Sequence, residues 1–444
     1  MNTLIRILSL LVLCFAANAP FLLDRAPLGV KISTGIILAA FFVLYNIFPN
    51  VKKYPNARLK MLGRGAELIL AFWVSCAAAV PVVVLEIISI ANGSVPFTSY
   101  IVRFIVLFLM ETVIFWNGII RVYLTSVRLG VKYRLLGLIF GYIFPLNLVM
   151  LMIIYVKCVG EVRFECRKFA VDEQRKDEKI CETKYPILLV HGVFFRDSRL
   201  FNYWGRIPVA LERNGARIFY GEQQSALSVE ESSKELADKI KNIVARTGCG
   251  KVNIIAHSKG GLDARYAISK LGCAEYVASL TTVNTPHKGC LFAESLLETT
   301  SPRLKKFIEK VYNGAFYRLG DDAPDFMAAV KDLTVSFCEE FNKNVPDVEG
   351  IFYQSIGSKA KSRRSGRFPL NLSYPVVKKY DGDNDGLVAL PSTKWGERFI
   401  PLYPKGRRGI THADVIDLNR EDIKGFDVRE FYVNLVSELK ERGL

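Results

Sequence analysis

The sequence predicts an all-α transmembrane bundle of four to five helices followed by an α/β domain, a mostly parallel sheet flanked by helices. Three observations predict it. Long apolar runs crowd the first 160 residues, strand-like and helix-like segments alternate beyond residue 185, and the positive charge is concentrated among the apolar runs. The chain has 444 residues, 50% of them apolar and 23% charged, with a mean hydropathy of +0.21. That composition lies outside the disordered, collagen-like and coiled-coil classes. The net charge is +16, and residues 1–160 hold 14 basic and 4 acidic residues. Basicity placed there reads as topology-setting charge at a membrane surface, not as a nucleic-acid footprint.

Five apolar runs build the bundle, at residues 7–23, 32–51, 68–90, 104–120 and 135–156. The third is broken only by Glu86 and the fourth only by Glu111. A spanning helix needs about 20 mainly apolar residues, which the second, third and fifth runs satisfy comfortably. Core helices of a soluble protein would carry a polar face and would not repeat at this length. The first run also resembles a signal peptide ending at Ala17-Asn18-Ala19, but Pro20 directly after that site argues for a retained span. Glu86 reads as lying nearer the outer interface, neutral or hydrogen-bonded, and Glu111 as bonded to a polar neighbour such as Asn117; the alternative is a lipid- or ion-handling path feeding the α/β domain.

Loop charge orients the runs. The second loop carries Lys52, Lys53, Arg58, Lys60 and Arg64, the fourth carries Arg121, Arg128, Lys132 and Arg134, and the third, residues 91–100, carries none. Basic loops stay in the cytoplasm. Five crossings then put the chain after residue 156 outside, with Lys157, Arg163, Arg167 and Lys168 opposing that outcome.

Residues 161–184 are charged and read as a linker between the transmembrane domain, 1–160, and the α/β domain, 185–444. Strands are expected at 186–190, 217–220, 252–256, 279–283, 351–356 and 399–402. Helices are expected at 229–247, opened by the capping box of Ser228 and Glu231, and at 262–271. This alternation implies a mostly parallel sheet covered on both faces. The nine cysteines form no C-x-x-C pair, which indicates neither a disulfide scaffold nor a zinc site.

The chemistry is concentrated in five segments. Val252–Ala256, His257-Ser258-Lys259 and Gly260-Gly261 read as a strand, a tight small-x-Ser-x-Gly turn and a helix start. That is the context of a nucleophilic serine, with Ala256 and Gly260 small because the turn is tight. The Lys259 backbone N–H would stabilise an oxyanion. The strand 186–190 running into His191-Gly192-Val193 supplies the second donor, the Val193 N–H. A serine needs a base and an acid to orient it. Of the four histidines, His191 and His257 belong to these turns. His287 leaves no room for an acid at a strand end between it and Ser258. His412 is the base by elimination. The acid lies in Asp381-Gly382-Asp383-Asn384-Asp385-Gly386. Asp385, before Gly386 and apolar Leu387-Val388, is the candidate and Asp383 the alternative. An EF-hand is rejected because Ser392 stands where that loop needs Glu.

In this order, and with Thr285-Pro286-His287-Lys288-Gly289 and His412-Ala413-Asp414, the segments resemble the bacterial, clostridial-type triacylglycerol lipases of the α/β-hydrolase superfamily over residues 185–444. The resemblance implies ester hydrolysis through Ser258, Asp385 and His412. It also implies acylglycerol or phospholipid substrates at the bilayer and a helical lid over about 290–350. No redox or nucleotide cofactor is implied. Secreted relatives often carry a structural Ca²⁺ near the histidine, for which Asp414 is the matching ligand. An acyltransferase or thioesterase using the same triad, and a non-catalytic lipid-binding membrane protein, are the alternatives.

Overall fold

The computed structural model describes residues 2–23, 26–92, 97–193, 203–299, 301–319, 324–403, 406 and 408–444. The chain divides into two compact units, Met1–Val171 and Asp172–Leu444. Of the uncharged third loop expected at 91–100, residues 93–96 lie outside the described residues.

The first unit holds α1 (Asn2–Leu22), α2 (Leu28–Ile47), α3 (Ala57–Ala91), α4 (Phe97–Thr125), α5 (Gly130–Phe140) and most of α6 (Leu146–Gln174). Asn56 caps α3 by accepting from the Leu59 N–H, as a short polar side chain does for an orphan donor of a first turn. Helices α3 and α4 pack closely because glycine meets glycine. A Cβ on Gly65 would lie 3.1 Å from the Gly118 carbonyl oxygen, and one on Gly118 would lie 3.2 Å from that of Gly65. Small residues permit such a close approach of two helix backbones. Ser75 Oγ donates to Glu111 Oε1 at 2.5 Å, and Arg103 pairs with Glu86 at 3.4 Å. Glu111 is thus held by Ser75, whereas Asn117 bonds Asn46. Among the described residues four helices, Thr3–Leu22, Leu28–Ile47, Ala57–Ala91 and Tyr100–Thr125, are long and apolar enough to cross a membrane.

The fifth apolar run is not one continuous helix. It breaks at residues 141–145, leaving α5 with 11 residues, about 16 Å of helix against a hydrocarbon core of about 30 Å. The exit on the far side of the membrane, which rested on five crossings, does not follow. The expected linker is also corrected: residues 161–174 continue α6, because Cys158, Glu161 and Val162 are buried on it.

The second unit is a six-stranded parallel sheet of order β2-β1-β3-β4-β5-β6, with β1 (Ile187–Val190), β2 (Ile218–Tyr220), β3 (Val252–His257), β4 (Val277–Val283), β5 (Phe352–Ser358) and β6 (Arg398–Leu402). All six expected strands are present. Alternation along β1 sorts its residues to two cores. Ile187 and Leu189 pack with Trp204 and Tyr432 under α7 (Ile207–Arg213) and α15 (Val428–Glu441). Leu188 and Val190 pack with Leu236, Ile240 and Ala264 under α8 (Val229–Thr247) and α9 (Gly260–Lys270). Between β4 and β5 stand α10 (Leu291–Thr299), α11 (Pro302–Leu319), α12 (Phe326–Lys331) and α13 (Val335–Asn344). Helix α14 (Leu370–Asp381) precedes the acidic loop. The carboxyl ends of β3, β4 and β5 therefore open onto one edge, where ligands of parallel sheets bind.

Candidate active site

Ser258 leaves β3 at φ +54°, a left-handed conformation that a non-glycine residue adopts at some energetic cost. Its N–H is tied to the Val283 carbonyl at 2.9 Å, and Thr285 Oγ1 donates to its carbonyl at 2.7 Å. Two glycines permit the turn. A Cβ on Gly260 would lie 2.2 Å from the His191 carbonyl oxygen, and one on Gly192 would lie 2.7 Å from Ser258 Cβ. The His191-Gly192-Val193 turn and the Ser258-Lys259 turn are thereby pressed together, as two oxyanion donors flanking one serine require.

Asp385 and His412 meet. The carboxylate is fully buried, and His412 Nδ1 lies 2.6 Å from Asp385 Oδ2. The loops carrying them are locked by the main chain, since the His412 N–H donates to the Asp385 carbonyl at 2.9 Å. The carboxylate is fully used. Oδ1 accepts from the N–H groups of Leu387 (2.9 Å) and Val388 (2.8 Å), and Oδ2 also accepts from Asn284 Nδ2 (2.7 Å). Asp383, the alternative acid, is more than half exposed and pairs with Lys359 at 2.6 Å. That hydrogen bond holds its carboxyl below the usual aspartate range.

The sequence reading passed over two supporting residues. Asn284 stands at φ +48° directly after β4. Its Oδ1 accepts from the Ser358 N–H at 2.9 Å, which aims its Nδ2 at Asp385. Tyr203 Oη accepts from the Gly192 N–H at 3.1 Å and is hydrogen-bonded to His257 Nδ1 at 2.6 Å. Burial drives the His257 imidazole well below its ordinary pKa, and His412, whose ring centroid is 4.4 Å away, pushes the same way. His257 is thus a neutral packing partner beside the serine. Asn284 directly precedes the segment Thr285-Pro286-His287-Lys288-Gly289, but nothing in its identity separated it from a turn residue. Tyr203 follows no motif.

Lys259 is fully buried. Its ammonium donates to Asp263 Oδ1 (2.7 Å), Ser232 Oγ (3.0 Å) and the Ser228 carbonyl (3.3 Å), pinning the start of α9 to α8. Over the edge, Val193 packs with Phe326 and Ala329 of α12, and Val388 packs with Cys290 and Ala293. Helices of the 290–350 insertion therefore touch both the oxyanion turn and the acid loop.

Asp414 does not fit a calcium ligand. Its Oδ1 pairs with Arg408 Nη2 at 2.9 Å and its Oδ2 accepts from the Thr411 N–H at 3.0 Å. Burial raises this carboxyl, against the opposing pull of Arg408. Arg408 runs on to Glu421 at 2.6 Å. Nearby, Arg206 grips Asp417 through Nε and Nη2, both at 2.8 Å, and reaches Asp422 at 3.2 Å. Guanidinium groups stand where a cation would have to sit. Among the described residues no cluster of three or more His, Cys, Asp or Glu could hold a metal.

Residues 220–323 match a family model described as "Putative serine esterase". A triacylglycerol lipase of Pseudarthrobacter phenanthrenivorans is 32% identical over 176 residues, 37% of this chain and 54% of that protein. The chain thus spans about half the length of that relative. A triacylglycerol lipase of Vibrio cholerae is 30% identical over 291 residues, 59% of this chain and 90% of the relative. The solved Staphylococcus hyicus lipase aligns with 59% of this chain and 97% of its own at 18% identity and a TM-score of 0.47.

Proposed function

The chain belongs to the triacylglycerol lipase family, and from that premise we propose that it is a membrane-anchored serine hydrolase cleaving carboxylic esters of acylglycerols or related lipids. The observation that carries the reading is the Asp385–His412 bond at 2.6 Å, on loops beside a serine held at φ +54°. His412 takes the proton of Ser258 Oγ through Nε2 as the oxygen attacks the ester carbonyl carbon. Asp385, accepting from Nδ1–H, fixes the tautomer and stabilises the imidazolium. The tetrahedral oxyanion lies on the N–H groups of Val193 and Lys259. Collapse breaks the ester C–O bond, and His412 returns the proton to the leaving alkoxide. Water, deprotonated by the same imidazole, then attacks the acyl–serine and releases the fatty acid. The apolar contacts of the insertion helices with Val193 and Val388 suit a water-insoluble acyl chain. The four long apolar helices would keep the enzyme at the bilayer that holds such chains.

The test is covalent labelling of the full chain in membranes with a fluorophosphonate. Ser258→Ala should fold, lose the label and lose turnover of emulsified triacylglycerol. Persistent labelling of that variant would remove Ser258 from the role.

A further inference from the structure

The bundle ends in a helical hairpin formed by α5 and α6. After α4, Arg134 Nε of α5 donates to the Tyr123 carbonyl at 2.9 Å, and a Cβ on Gly137 would meet Tyr123 Oη at 2.1 Å. Helix α5 therefore runs back alongside the last turns of α4. Helix α6 then retraces α5. A Cβ on Gly137 would lie 3.1 Å from Ile154, and Lys157 Nζ sits 4.1 Å from the Tyr133 ring centroid. Fifteen residues into α6, Glu161 is back at the loop between α4 and α5. It accepts from Ser126 Oγ (2.7 Å) and from the N–H groups of Val127 (3.2 Å) and Arg128 (3.1 Å), and it pairs with Arg58 at the start of α3 (2.5 Å). The deep end of the hairpin is apolar. Tyr142, Ile143, Phe144 and Leu146 are exposed at its tip, and Leu151 and Ile154 share a buried apolar cluster with Ile69 and Val122.

We propose that residues 130–161 are a re-entrant hairpin, that the bundle crosses the bilayer four times, and that the hydrolase emerges on the cytoplasmic side to act on esters of the cytoplasmic leaflet. The charge pattern agrees once the fifth crossing is removed. Lys157, Arg163, Arg167 and Lys168, which opposed an outward exit, fall at the same end as the basic second and fourth loops. One face of the bundle then carries the excess of cations that marks the cytoplasmic side. The substrate half of this proposal rests on the serine-hydrolase reading; the topological half does not.

The experiment uses spheroplasts of a bacterium producing the full chain with a C-terminal epitope. They are treated with a membrane-permeant fluorophosphonate, with a sulfonated impermeant one, or with added protease. The permeant probe should label Ser258 in intact spheroplasts. The impermeant probe should label it at least tenfold more after lysis, and the epitope should resist protease until lysis. Impermeant labelling at full strength before lysis, or loss of the epitope in intact spheroplasts, would overturn the topology. Absence of permeant labelling with the epitope protected would sustain the topology and sink the hydrolase reading.

Discussion

Replacing Asp385 with Asn tests the site through one proton. Oδ1 of Asp385 faces two main-chain N–H donors, Leu387 and Val388, at 2.9 and 2.8 Å, so the amide oxygen of the new side chain must take that position. Its NH₂ then falls at the Oδ2 position, 2.6 Å from His412 Nδ1, and donates there. The imidazole is forced to keep its proton on Nε2, where the proposed base needs a lone pair. Asn284 cannot readily turn over to compensate, because its Oδ1 is engaged by the Ser358 N–H. A wrong tautomer in a triad costs about 10⁴ in kcat, which is about 5.4 kcal/mol at 1.36 kcal/mol per tenfold. The donor–donor contact with Asn284 should add a stability loss of about 1–3 kcal/mol. Steady-state hydrolysis of a chromogenic short-chain ester at pH 7.5 reads the first effect, with KM little changed, and a thermal melt reads the second. Turnover within tenfold of the parent would refute the tautomer argument and Asp385 with it.

Other outcomes follow from the same geometry. Asp383→Asn removes only an exposed pair with Lys359 and should leave kcat within about threefold in the same assay, since exposed pairs are worth about 0–1 kcal/mol. EDTA should change neither turnover nor Tm, because arginines hold the carboxylates after His412; a loss restored by calcium would contradict this. Arg206→Ala strips the partner from a fully buried Asp417 and should cost about 3 kcal/mol in chemical denaturation, with kcat falling as the His412 loop loosens. Below pH 6.5 the domain should weaken. Burial holds His257 and His287 neutral in the folded chain, with neighbouring His412 and Arg265 adding to the effect, so their folded pKa values lie below the unfolded value of about 6.5. That stability is present above pH 6.5 and is lost on acidification at up to about 1.4 kcal/mol per pH unit for each ring. His287→Gln should roughly halve the slope measured between pH 6.5 and 5.5, and an unchanged slope would show that His287 contributes nothing to it.

Much of the α/β domain was legible because β1 and most of β3 are apolar runs and the Ser258 turn advertises itself through Ala256 and Gly260. Asp385 could be favoured over Asp383 because it precedes Leu387 and Val388, whose N–H groups turn out to be its donors. Asn284 and Tyr203 were not legible, since their roles depend on which strand ends and turns become neighbours in three dimensions. The surroundings of Asp414 were hidden for a related reason. Its real partner, Arg408, lies six residues upstream and resembled any other basic loop residue. In the bundle, composition gave the length of the apolar run 135–156 but not its direction. A hairpin and a span can have equal hydropathy, and the difference is made by where Glu161 finds its hydrogen bonds.

The arginine clamps after His412 also decide which ionic surroundings the domain tolerates. Extracellular calcium modules bind with Kd values of about 10⁻⁴–10⁻³ M, whereas cytosolic sensors are tuned to about 10⁻⁷–10⁻⁵ M. A histidine loop held by a module of the first kind would lose its ion, and its order, in a compartment poised for the second. Arg408 on Asp414 and Glu421, and Arg206 on Asp417 and Asp422, carry their positive charge in the covalent chain, at a fixed stoichiometry that no transporter or chelator can alter. On the proposed reading the histidine loop is ordered by arginines of the chain itself, with no bound ion needed to hold it.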